Sequence, residues 1–161
     1  MKSASLNANS SSYQTGERAF QKIDNSAAVT RTLTVGESGT LFAVDMSAVD
    51  NNVALTLPTA SDAVAGVNYD FCFTVDSDDD ADFSITTGAD GTDIYGGIIT
   101  LAAQSTVDAF NGSSKITVDA SVAQSTEGLK LSLVCDGTNW HLSGHIMTAV
   151  GTAHLVPAAG A

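Results

Sequence analysis

Positive charge is scarce in this chain. Lys and Arg together number 6 against 18 Asp and Glu, giving a formal net charge of −12 over 161 residues. Lys2, Arg18, Lys22 and Arg31 all precede residue 32, and only Lys115 and Lys130 follow. An acidic body with a mildly basic N-terminal end lacks the cationic footprint that nucleic acid or an anionic membrane requires, so neither is expected as a partner. Acidity of this kind keeps copies soluble and mutually repelling. Cysteine is nearly absent. Cys72 and Cys135 are too few for a disulfide framework and stand in no metal-binding spacing. They read as free thiols, buried or half-buried, on different faces of their strands, compatible with assembly in a reducing cytoplasm. No run approaches the roughly 20 apolar residues of a membrane span. The first twenty residues hold no apolar signal-peptide core, so the expectation is a soluble chain starting at its own Met1.

Recognisable catalytic chemistry is also missing. There is no nucleophile elbow, phosphate-binding loop, dinucleotide fingerprint or zinc pattern, so neither enzymatic activity nor a cofactor is expected. Residues 76–82 pack five acids, and Asp76, Asp78, Asp80 and Asp82 offer hard oxygens at alternating positions as weak candidates for a divalent cation. As an EF-hand loop the segment fails, with Ala81 at position six and Thr87 at position twelve. A solvated acidic turn is the plainer reading. Residues 88–96 come close to one nonapeptide of a calcium-binding β-roll, but a lone copy has no neighbouring turn with which to share an ion. His141 and His145 lie four apart. On a strand they share a face at about 13 Å, from roughly 3.3 Å per residue, which excludes a joint metal site. His154 stands alone near the C-terminus.

What the chain does have is Thr, Val, Ser, Ala, Asp and Gly, a composition suited to pleated surfaces and turns. Short alternating segments are expected as strands at 29–35, 40–45, 53–57, 67–75, 83–87, 94–101, 115–120, 129–135 and 140–146. Pro58 ends the third of these. Gly96-Gly97 marks a bulge or a close backbone contact, and 102–114 reads as a loop. Val67, Tyr69, Phe71, Phe73 and Val75 form one apolar face. The segment Asp136-Gly137-Thr138-Asn139 joins two strands into a hairpin, in which Leu129, Leu131, Leu133 and Cys135 share one face and Trp140, Leu142, Gly144 and Ile146 share one face of the partner strand. No repeat of 20–50 residues is visible. Turn signals every 8–14 residues predict an all-β fold, a compact antiparallel β-sandwich or barrel with an extended N-terminal arm. The expected organisation is an arm at 1–27, a body at 28–147 and a tail at 148–161.

The order of these features resembles bacteriophage virion structural β-modules, the capsid decoration (cement) proteins and phage fibre-type domains. The resemblance rests on a strand pair at Leu33–Phe42, Ala54–Ala60, the Gly-led aromatic strand Gly66–Phe73, Phe83–Gly91 and the closing Val134–Gly144, and covers roughly residues 30–146. It implies a non-catalytic virion protein, usually trimeric, made in the host cytoplasm and placed on the outer capsid surface. With only a short arm before the module, decoration is the expected role. The major capsid protein is the expected partner, met by Tyr13, Arg18, Phe20, Lys22 and Ile23 of the arm, while Phe and Leu faces meet at the seams of a homotrimer. The alternative is a head-fibre or tail-fibre/knob module that binds host surface glycans or receptors, with Tyr95 or Trp140 as a stacking platform, although Trp140 reads more plainly as a core residue of the hairpin.

Overall fold

The computed structural model describes residues 18–48, 50–75, 81–88, 92–101, 106–119, 126–147 and 154–159. These form eleven strands: β1 (Phe20–Asp24), β2 (Val29–Thr32), β3 (Thr40–Asp45), β4 (Val53–Thr56), β5 (Asn68–Phe73), β6 (Phe83–Thr86), β7 (Ile94–Leu101), β8 (Thr106–Asp119), β9 (Lys130–Cys135), β10 (Trp140–Met147) and β11 (His154–Ala159). They make one curled, half-barrel sheet in the order β1-β3-β5-β9-β10-β7-β8-β6-β4-β2, with β11 added to β8. The all-β, barrel-like character is as the composition predicts.

The pairing is mixed rather than antiparallel throughout. Up to β6 the chain passes alternately between two walls. Odd strands stack in parallel as β1-β3-β5, and even strands as β2-β4-β6. Each odd–even pair is one coil, so three coils lie on one another and their inward side chains form columns. Ile23, Val44 and Phe73 stack in one column, and Val53 sits opposite Phe83 in another. This is an internal structural repeat that the sequence reading does not find. The coil corners show its trace. Asp24 and Asp45, Cα partners in the ladder, each accept at Oδ1 from the backbone amide and hydroxyl of the serine two residues on, Ser26 and Ser47. A short side-chain oxygen that closes a turn in this way suits Asp at a strand end. The third coil carries Thr74 there, whose hydroxyl donates to the Val44 carbonyl at 3.1 Å.

After β6 the direction changes. β7 and β8 pair antiparallel, as do β9 and β10, while β10 lies parallel to β7. This ribbon spans from β5 to β6 and closes the half-barrel. The hairpin at residues 136–139 forms as expected. Gly96 is at φ +122°, where a Cβ would overlap the Leu142 carbonyl oxygen, which is the close backbone contact that Gly96-Gly97 signals.

Several boundaries move. Residues 106–114, read as a loop, belong to the long β8, and β11 lies within the segment read as a tail. Phe20–Asp24, read as part of the arm, is the first strand of the sheet. Ile23 is only 4% exposed and belongs to the core rather than to a contact set.

The core fills the space between the walls. Phe42 stacks on Phe71 at 5.2 Å, and Phe83 meets Phe71 and Phe73 edge-on at 5.8 and 5.0 Å. Trp140 stacks on Tyr69 at 5.7 Å, its indole N–H donating to the Pro58 carbonyl and the Tyr69 hydroxyl donating to the Thr34 carbonyl. These rings are satisfied as well as buried. The Phe and Leu faces expected at subunit seams are therefore spent on the chain's own interior: Phe42, Phe71, Phe73, Phe83, Leu131 and Leu133 are at most 1% exposed.

At the coil 1 end the inward positions turn polar. Arg31 pairs with Glu37, donates to Gln21 Oε1 at 3.0 Å and lies 5.7 Å from the Phe42 ring centroid. Glu37 accepts from the Thr34 amide and hydroxyl, each at 2.9 Å. A charged, hydrogen-bonded lid over an aromatic core closes the stack without exposing apolar surface.

Candidate functional site

The arm's root is the first candidate. Arg18, just before β1, forms an ion pair with Asp70 of β5, and Lys22 of β1 lies 3.1 Å from Asp45 and 4.0 Å from Asp24. Both cations expected to meet a partner are thus engaged by the body's own carboxylates. The Ser47 hydroxyl and the Lys22 ammonium hold the Asp45 carboxyl below its ordinary range, and the Ser26 contacts do the same for Asp24. Phe20 behaves differently. It projects from the outer face of β1, 65% exposed, and is the most exposed of the large apolar side chains among the described residues. β1 and β2 are the end strands of the sheet, so their outer backbone edges have no strand partner among the described residues. Tyr13 lies outside the described residues.

The second candidate is the outer face of the closing ribbon. Period-2 alternation places Tyr95 of β7 and His141 of β10 outward as Cα partners, with ring centroids 6.4 Å apart. The His141 Nε2 stands 2.7 Å from Asp136 Oδ2, while Asp136 Oδ1 accepts from the amides of Thr138 and Asn139 at 2.7 Å each. The hydrogen bond to His141 and those to the turn amides hold the Asp136 carboxyl far below its ordinary range. His145 also projects outward, so the two histidines share a face as expected. Trp140 does not reach the surface. It is fully buried, which removes it as a stacking platform and leaves Tyr95.

Of the metal candidates, Asp76, Asp78 and Asp80 lie outside the described residues. Asp82 directly precedes β6, its amide donating to Asn52 Oδ1 at 2.8 Å and its carbonyl accepting from the Val53 amide at 2.9 Å. Among the described residues no group of three or more His, Cys, Asp or Glu side chains is placed to hold a metal ion. No helix among them is long and apolar enough to cross a membrane. Cys72 is half-buried on the outer face and Cys135 buried on the inner one, both free, as their strand positions predict.

Two features escaped the sequence reading. Asn25, 1% exposed, locks the corner of coil 1 onto coil 2, and the Gln21–Arg31–Glu37 lid closes the core. The recurring Asp-x-Ser-Ala at 24–27 and 45–48 was the available signal for the first. No protein-family model matches this chain, and no curated protein sequence matches it.

Proposed function

We propose that the chain is a bacteriophage capsid decoration protein: an acidic β-body, expected as a homotrimer, held on the outer shell by its N-terminal arm against the major capsid protein. The observation that carries this reading is the arm's root. Phe20 stands 65% exposed on the end strand of the sheet, between Arg18 and Lys22, both tied down to the body. A partner strand that adds to such an edge gains main-chain hydrogen bonds, and the exposed ring supplies an apolar anchor. The two cations position the edge rather than contact the shell, so the shell contact falls to Phe20 and to the residues before Arg18, Tyr13 among them. Many weak copies stabilise a shell by avidity and by binding only its assembled form.

Quantitative mass spectrometry of purified virions tests the reading first. Copy number near parity with the major capsid protein is expected. A few to tens of copies would assign a fibre or knob, and absence from virions would end the phage reading. A chain truncated before Arg18, which spares β1, is expected to keep the folded Trp140 fluorescence and to lose capsid retention. Undiminished retention overturns the arm's role.

A further inference from the structure

The outer face of β9, β10 and β7 carries a trough that the capsid contact does not use. Ser132, Ser143 and Gly97 lie in register across the three strands and form a floor of small side chains. His141 and Tyr95 rise on one side, two residues along their strands. Lys130 and His145 rise on the other side as Cα partners. The two sides are about 13 Å apart at the backbone, from roughly 3.3 Å per residue. Beyond Ser132 the floor meets Asp70.

The charges here are unequal in availability. Asp70 is neutralised by Arg18, and Asp136 is taken up by His141 and the turn amides. Lys130 and His145 have no acidic partner among the described residues. Lys130 is one of only two Lys or Arg residues beyond residue 31. On an acidic body, this face and Lys115 are the two places where a lysine has no carboxylate partner among the described residues, and only here does a histidine stand beside it. Beside it stand a half-exposed tyrosine ring, an imidazole and two serines, the mixture of stacking surface and hydroxyl partners that a sugar ring uses.

We propose that this trough binds a carboxylate-bearing oligosaccharide, its carboxylate between Lys130 and His145 and a sugar ring against Tyr95. The proposal does not rest on the capsid reading, since Lys130, His145 and Tyr95 belong to β9, β10 and β7 and not to the arm, which meets the trough's end only through Arg18 and Asp70. The test is an array carrying uronic-acid, sialic-acid and neutral glycans, probed with the full chain, followed by titration of the best ligand. Saturable binding to carboxylated glycans and none to neutral ones is expected. Tyr95→Ala and Lys130→Glu should each weaken binding roughly tenfold or more, with an unchanged melting temperature and unchanged capsid retention. Lys115→Glu, the same charge change on the β6 side of β8, should leave binding intact. The proposal falls if neutral glycans bind as well, if Lys115→Glu weakens binding as much as Lys130→Glu, or if the folded full chain binds no carboxylated glycan. It also falls if Lys130→Glu loses capsid retention and keeps its glycan, which would make the face a protein contact.

Discussion

The buried side chain of Asn25 closes a ring of hydrogen bonds onto Ala48: its Nδ2 donates to the Ala48 carbonyl at 2.7 Å, and its Oδ1 accepts from the Ala48 amide at 2.9 Å. The same Nδ2 also donates to the Asn51 carbonyl at 3.0 Å, and the Asn25 backbone amide donates to Asp45. One side chain thus satisfies the corner of the coil above it, where no ladder hydrogen bond reaches.

Asn25→Ala leaves one amide and two carbonyls of that corner without their partner. Leaving buried polar groups unpaired is expensive, so the variant is expected to lose about 3 kcal/mol of unfolding free energy. Urea denaturation followed by Trp140 fluorescence checks it. A loss within experimental error of zero would mean that water replaces the side chain.

Tyr69 governs the alkaline limit. Burial pushes its phenol up to about 12 from 10.0. A group whose folded pKa is raised contributes stability that is complete below the unfolded value and is lost as pH rises towards the folded one. Stability is therefore expected to fall between about pH 10 and 12 through ionisation of Tyr69 in the unfolded chain. Tyr69→Phe should be less stable at neutral pH for want of the bond to Thr34, yet show a flatter alkaline decline. An equally steep decline in the variant would assign it to other groups.

Asp136 acts at the acid limit, with the opposite sign. Its folded carboxyl titrates below its unfolded value, so its contribution is present above about pH 3.9 and lost as pH falls. Asp136→Asn is expected to melt at a temperature that varies less with pH below 4 than the parent's. The pH dependence of the melting temperature checks this, and parallel curves would refute it.

Phe20 separates folding from binding. At 65% exposure it buries little, so Phe20→Ser is expected to change unfolding free energy by no more than about 0.5 kcal/mol. Capsid retention should fall in the same variant. Calorimetry and capsid co-sedimentation together check it. A stability loss above 1 kcal/mol would make Phe20 a structural residue instead.

The local pattern of the chain determined its all-β character, the inner faces of β5, β9 and β10, the hairpin at residues 136–139 and the opposite placement of Cys72 and Cys135. Each follows from period-2 alternation or turn chemistry, which act within a few residues. Which strands pair, and in which direction, was decided only in three dimensions. Alternation states which face is buried but not what lies alongside, and a strand in a parallel coil has the same pattern as one in a hairpin. β1 illustrates the limit. Its inward positions are Gln21 and Ile23, the first polar because the core ends there, so the pattern that marks a strand breaks where the fold needs a lid. The first half of β8, with Asp108, Asn111 and Gly112, carries no pattern because its role is set by its neighbour β7. The trough on the outer face exists only in register: Ser132, Ser143 and Gly97 are far apart in the chain and become one floor because β9, β10 and β7 lie side by side.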